Sequence, residues 1–258
     1  MARAHDSAAV LNGRRHPQLG AVAVRSVSPT LGVGMTAGAL TKVIPPVEPN
    51  EDAGAIVGGP RADLLVVADA HFGALAGEIA VGHVLAAIGD DPPPADLPPA
   101  ELVGLVFEAG VAVRQATTVP GCPTPESATT LAFALVTETE MQWASFGDSC
   151  IVVTCADEGR RLDTSRRAYL GQSFDAGEVE ELMSHGRYER RDGDCIIVAT
   201  DGLADVISPS WSTMAVLVSA YVERTYGAGA IVESLIDLAL QRESADAVTV
   251  AVASGYAT

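Results

Sequence analysis

At 258 residues, with 48% hydrophobic and 19% charged side chains, the chain has enough apolar material for a large packed core and is not a disordered polypeptide. Its formal net charge of −17 argues against a surface built to neutralise nucleic-acid phosphates, and against anionic membranes. No apolar run approaches the roughly 18 residues of a membrane span, and Ala8-Ala9-Val10-Leu11 is too short for a signal-peptide core, so a cytoplasmic, monomeric protein is expected.

Residues 1–18 are polar and aperiodic and predict a loose N-terminal segment, leaving 19–258 as one domain. Leu19 to Val27 has the composition of a strand, and the prolines between Thr41 and Asp52 predict an extended loop. Leu64 to Ala68 is a short, wholly apolar strand that runs straight into Asp69. Helical spacing follows over 74–88, then a proline-rich break, then a second helix over 99–116 with Pro99 in its first turn. Thr129–Thr137, Gln142–Phe146 and Ile151–Thr154 form strands whose short separations predict an antiparallel meander. The basic stretches Arg160–Arg167 and Arg187–Arg191 read as a solvated flap, with contact to an acidic partner or a phosphate as the alternative. Cys195 to Thr200 is another apolar strand, ending in Asp201. Helical patterns over 209–223 and 228–241 lead to a last strand from Val248 to Ala253, introduced by Asp246. Helices come in adjacent pairs and strands outnumber them, which favours packed sheets covered by helices over a doubly wound parallel sheet. The cysteines (Cys122, Cys150, Cys155, Cys195) have neither zinc spacing nor the density of a disulfide framework.

Aspartates punctuate the apolar strands: Asp69, Asp148 and Asp201 end them and Asp246 begins one. Singly, a strand-end aspartate usually caps a helix or closes a turn. Gathered on one edge of packed sheets, four carboxylates repel one another unless protonated or bridged by cations. An all-oxygen site suits Mg²⁺ or Mn²⁺, and two such ions about 3.5–4 Å apart can orient a shared water for in-line attack on phosphorus. The Ala70 carbonyl could reach a metal, and His71 stands where a proton donor to a leaving alkoxide would be needed.

Six segments then resemble, in order, the motifs of the metal-dependent serine/threonine protein phosphatases of the type 2C family, in its bacterial form. They are NEDA (50–53), VVADAHFGALAGEIA (66–80), SATTLAFAL (127–135), WASFGDS (143–149), VATDGLADVIS (198–208) and SADAVTVAVA (244–253). The resemblance implies an α+β fold, a four-layer αββα sandwich of two mainly antiparallel sheets flanked by helix pairs. It implies that Asp69 bridges two Mn²⁺ or Mg²⁺ ions, with Asp201 and Asp246 on one and the Ala70 carbonyl on the other, while Glu51 and Asp52 act through metal-bound waters. Asp148 and Asp205 match positions for a third metal, His71 would be the general acid, and the substrates would be phosphoserine and phosphothreonine in proteins.

The sequence departs from the family pattern on the phosphate side. Val47 stands where the family places a phosphate-gripping arginine, four residues before Glu51. Lys42 and Arg25 are the nearest upstream cations, and a lysine does not reproduce a bidentate guanidinium. Asp69-Ala70 replaces Asp-Gly, Asp246-Ala247 replaces Asp-Asn, and Cys150 follows Ser149 where an arginine is common. Two readings stay open: an active phosphatase, or a pseudophosphatase that binds phosphoproteins as a regulator.

Overall fold

A computed structural model describes residues 7–42, 46–89, 93–156, 158–164, 166–207, 211–222 and 227–255. Two six-stranded sheets form its centre. The first has the order β1 (Ala8–Asn12), β4 (Ala53–Val57), β5 (Asp63–Ala68), β8 (Leu131–Val136), β9 (Glu140–Phe146), β12 (Ser184–Glu189). The second has the order β11 (Glu158–Arg161), β10 (Cys150–Cys155), β13 (Cys195–Ala199), β14 (Val248–Ser254), β3 (Leu31–Thr36), β2 (Ala23–Ser28). A small ribbon of β6 (Ala70–His71) and β7 (Ala128–Thr129) lies beside them, and the ladders are antiparallel.

The alternation of side chains along each strand builds the layers. On β5, Leu64, Val66 and Ala68 pack under α1 (Leu75–Ile88) and α2 (Pro99–Thr117), while Leu65 and Val67 enter the space between the sheets. On β13, Cys195, Ile197 and Ala199 face α4 (Asp201–Ile207), α5 (Trp211–Val222) and α6 (Ala228–Gln241), while Ile196 and Val198 meet the other sheet. A short α3 (Ala176–Leu182) joins the first helical layer. Strands covered on both faces must be apolar throughout, which is why β5 and β13 read as unbroken hydrophobic runs. The fold is the expected α+β sandwich of four layers. Among the described residues no single helix is long and apolar enough to cross a membrane.

Several elements differ from the sequence expectation. Residues 8–12 are not a loose segment: they pair along their whole length with β4. β1 is an edge strand in which Leu11 alone is buried, so the backbone ladder recruits it without an apolar pattern. The meander also breaks. β8 and β9 pair, but β10 crosses to the second sheet through the turn Gly147-Asp148-Ser149. Gly147 has φ +109, and a Cβ there would lie 2.6 Å from Thr130 Cγ2, so this crossing needs glycine. β3 and β4 lie in stretches without a strand signal strong enough to separate them from loop. Their glycines let helices and neighbouring strands approach closely, with Gly34 under Val232 and Ile236 of α6. The first six residues, Pro45, Ser208 and the ends of the expected 209–223 helix fall outside the described residues.

Candidate metal centre

One end of the sandwich collects the aspartates. Asp52 directly precedes β4, Asp69 follows β5, Asp201 opens α4 after β13, Asp246 lies two residues before β14, and Asp148 sits in the β9–β10 turn. The registers Ala53↔Ala68, Ala199↔Val250 and Cys150↔Ala199 bring these strand ends level. Asp69, Asp148 and Asp201 each present a carboxylate oxygen within 4.8 Å of the others. Asp148 thus stands close to Asp69 and Asp201, and its charge also acts on Asp205.

Backbone and hydroxyl groups fix these carboxylates. The Asp69 N–H donates to Thr130 Oγ1 (3.0 Å), whose hydroxyl also meets Ser149 Oγ (2.7 Å), linking the end of β5 to the Asp148 turn. The Asp69 carbonyl accepts from the Thr130 N–H (2.9 Å) and Thr129 Oγ1 (3.0 Å). Thr200 Oγ1 donates to Asp52 Oδ2 (3.0 Å) and accepts from the Thr249 N–H (2.9 Å), tying β4 to β13 and β14. Arg161 holds the Asp148 carbonyl (3.1 Å) while forking onto buried Asp163 (2.6 Å), whose Oδ1 also accepts from the Ile151 N–H (2.7 Å). The basic stretch is thus not wholly a solvated flap. A guanidinium supports the turn from β11, although Cys150 occupies the next position in sequence. The Cys150 thiol is buried and inert, pushed up to about 12 by burial and then by Asp163.

What the carboxylates lack is as informative as what they hold. Asp52 Oδ1, Asp69 Oδ2, Asp148 Oδ1 and Asp201 Oδ1 are buried and have no hydrogen-bond partner among the described residues. Burial, and then repulsion from Asp246, pushes both Asp52 and Asp201 up to about 7. Burial and then Asp52 drive Asp69 well above the usual carboxylate range, and burial with Asp246 and Asp148 raises Asp205 as well. Hard oxygen donors, anionic, crowded and unpaired, fit divalent cations of the Mg²⁺ or Mn²⁺ type.

The remaining expected residues divide. Lys42 enters the centre: its Nζ forms an ion pair with Asp246 Oδ1. Burial would lower the Lys42 pKa, but Asp246, Asp69 and Asp52 together hold it above its ordinary value. Arg25 does not enter; it is exposed on β2 and bonds the Val24 carbonyl. Glu51 is held through Oε1, which accepts from the backbone N–H groups of Val47 (2.9 Å) and Glu48 (3.2 Å) and clips the loop before Asp52. Ala70 lies in β6, so the replaced glycine carries no left-handed demand there; that conformation falls on exposed Phe72, at φ 60. His71 places Nε2 3.9 Å from Asp69 Oδ2 and packs edge-on against Tyr169 at 4.8 Å. Burial and then Lys42 lower its pKa, while Asp148 and Asp246 pull upward.

Sequence reasoning did not single out Thr130, Ser149 and Thr200, although all three lie inside the quoted motifs and Ser and Thr beside buried carboxylates are natural hydrogen-bond partners. Tyr169 carries no sequence signal. Arg14 follows β1, and its guanidinium is taken by Glu48 (3.1 Å) and Glu78 (3.6 Å).

The model of the family described as "Protein phosphatase 2C" matches residues 45–238, which include every carboxylate of the centre except Asp246. No curated protein sequence matches the chain. Among solved structures, the serine/threonine phosphatase PstP/Ppp of Mycobacterium tuberculosis is 22% identical, with 91% of this chain and 98% of that one covered and a TM-score of 0.61. The catalytic domain of PstP in complex with 2 manganese ions is 22% identical over 92% of this chain and 100% of that one, with a TM-score of 0.63. PppA, described as a key regulatory component of T6SS in Pseudomonas aeruginosa, is 20% identical over 92% and 99%, with a TM-score of 0.65. These likenesses show the fold, and the family match over well more than half of the sequence shows the lineage: the chain belongs to the protein phosphatase 2C family, the metal-dependent serine/threonine protein phosphatases.

Proposed function

We propose that the chain is an active phosphatase that hydrolyses phosphoserine and phosphothreonine in proteins with the help of two divalent cations. The observation that carries this reading is the set of four buried carboxylate oxygens without partners at one strand-end edge. Repulsion in such a cluster is maintained at a cost to stability, and that cost makes sense in a centre that is filled. Asp69, Asp52, Asp201 and Asp246 would hold two Mn²⁺ or Mg²⁺ ions with the Ala70 carbonyl, and Asp148 and Asp205 would flank a third. Such ions supply an activated water and offset phosphate charge. Glu51 would contribute indirectly, by fixing the loop that carries Asp52. His71, with 31% of its side chain exposed, would give the proton to the departing serine or threonine oxygen from the solvent side. Lys42 would take the place of the missing arginine as the positive group facing the phosphate.

The Lys42–Asp246 ion pair is the one observation that favours the pseudophosphatase reading, because a protein cation already occupies a carboxylate that a metal would need. Purification without chelator, followed by hydrolysis of an aryl phosphate and a phosphopeptide with Mn²⁺, Mg²⁺ or neither, separates the two. Metal-dependent turnover that Asp69→Asn reduces by at least about a hundredfold supports the active enzyme. Turnover that survives excess chelator, or that equals the Asp69→Asn variant, overturns it.

A further inference from the structure

We infer that the centre is adjoined by an apolar groove that selects substrates by the residues flanking the phosphorylated one. This rests on the phosphatase reading and specifies its substrate class: phosphoserine or phosphothreonine segments with apolar or proline flanks on one side. The groove has a volume of about 380 Å³ and is walled by Pro17, Leu19, Leu40, Pro46 and Val47. Lys42, whose ammonium group meets Asp246, lines it, and so does Ala245, one residue before that aspartate. Groove and carboxylate cluster therefore share a wall, and a phosphate held at Lys42 puts the neighbouring residues of its peptide over the apolar surface.

Two features commit the groove to that occupant. Seven large hydrophobic residues are exposed among the described ones, and three of them (Leu19 at 47%, Leu40 at 47%, Val47 at 60%) line this groove. Such a concentration of apolar surface marks a binding site rather than scatter. The chain carries 33 acidic residues, yet none of the described ones lines the groove. The one charged side chain among its described lining residues is Lys42, which also meets Asp246 of the centre, and this favours a ligand with its phosphate at Lys42 and its apolar part along the walls. Prolines on the walls keep the surface in shape without ordering cost when a peptide binds. The other large grooves do not share this relation: the one lined by Gly59–Asp63 and Thr137–Glu140 lies at the opposite ends of β5 and β8.

The test uses the full chain with Mn²⁺ and two phosphothreonine peptides of equal length and charge, one with Leu, Val and Pro beside the phosphothreonine and one with Ser, Gln and Gly. The expected preference in kcat/KM for the apolar peptide is about tenfold or more. Leu40→Asp and Leu19→Asp, both on exposed side chains, should shrink that preference to about twofold, since the added charge weighs equally on two peptides of matched charge. Equal rates on the two peptides, or a preference that survives both variants, overturn the groove. If the aryl phosphate itself is not turned over, the phosphatase reading fails separately. Fluorescence anisotropy with the same peptides then decides the groove, which requires tighter binding of the apolar peptide and its loss in Leu40→Asp.

Discussion

Replacing Asp52 by Asn should stabilise the metal-free protein at pH 8 and do markedly less for it at pH 5. Asp52 is buried at 1% exposure, its Oδ1 has no partner, and burial with Asp246 pushes its carboxyl from the ordinary 3.8 up to about 7. Below about pH 4 the carboxyl is protonated whether the chain is folded or not, so it contributes nothing. From there to about pH 7 the unfolded chain releases a proton that the folded chain retains, and stability falls as pH rises. Above that range the full penalty applies, about 4 kcal/mol for a shift of this size. Asp69 and Asp201 are raised together with Asp52 and share its protons, so removing one member should recover only part, about 1–3 kcal/mol. Asn keeps an oxygen to accept from Thr200 Oγ1, which limits the loss elsewhere. For a chain of this size that gain is a Tm rise of about 2–4 °C per kcal/mol, read by differential scanning calorimetry in chelator at both pH values. Adding Mn²⁺ should then raise the wild-type Tm at pH 8 more than the variant's. A lower Tm for the variant at pH 8, or the same shift at both pH values, would refute the view that uncompensated anionic repulsion strains the empty centre.

Substitutions at three further positions probe how the centre is held. Gly202→Ala should cost at least about 2 kcal/mol and abolish the Mn²⁺-induced rise in Tm, because the new methyl would overlap the Ala247 carbonyl and push α4, with Asp201, away from the start of β14. Thr130→Val should lower stability by about 1–3 kcal/mol in a urea titration, since the Asp69 N–H and Ser149 Oγ both lose their partner; weaker apparent Mn²⁺ affinity should accompany it. Arg161→Met should be the most damaging, about 3–5 kcal/mol, because it leaves the carboxylate of Asp163, whose side chain has 0% exposure, without its guanidinium. Arg161→Lys should recover only part of that loss, as one ammonium cannot fork onto both oxygens.

The sequence disclosed most where one periodicity met one boundary residue. Leu64 to Ala68 and Cys195 to Ala199 had to be covered strands, and the aspartates that end them had to lie at strand ends. Asp69 and Asp201 followed directly. Pro99 and the spacing behind it placed α2 to within a residue. Sheet membership was not legible: nothing in the turn after Phe146 says that β10 leaves β9 for the other sheet. That choice is made by Gly147 against Thr130 and by inter-sheet packing of Ile151 and Val153. β1 was hidden because edge pairing needs backbone more than apolar side chains. Partnerships across long separations were equally hidden. Glu51 shows in sequence only as a carboxylate beside Asp52, and its Oε1 bonds to the N–H groups of Val47 and Glu48 appear only in the structure. Lys42 and Arg25 could not be ranked from sequence, and the path of the chain after β3 separates them: one ion-pairs with Asp246, the other stays on an edge strand.

The Lys42 placement has a consequence for how tightly a substrate can be held. A lysine presents a compact charge with no planar fork, so it fixes a phosphate less firmly in orientation than an arginine at that position would. It also shares its charge with Asp246, which weakens its pull on any incoming anion until a cation relieves that pairing. A phosphatase with these two handicaps would bind a bare phosphate poorly and would need contacts beyond the phosphoryl group. Lys42 also lines the apolar groove, where such contacts could be made. In the proposed enzyme the missing arginine and the exposed Leu19, Leu40 and Val47 would be two sides of one arrangement, with recognition shared between the phosphate and its neighbours. The aryl phosphate should accordingly show a high KM with ordinary kcat, and the apolar-flanked phosphopeptide should lower KM far more than it changes kcat. Equal KM values for the two substrates would separate the lysine from the groove and leave the weakened phosphate grip uncompensated.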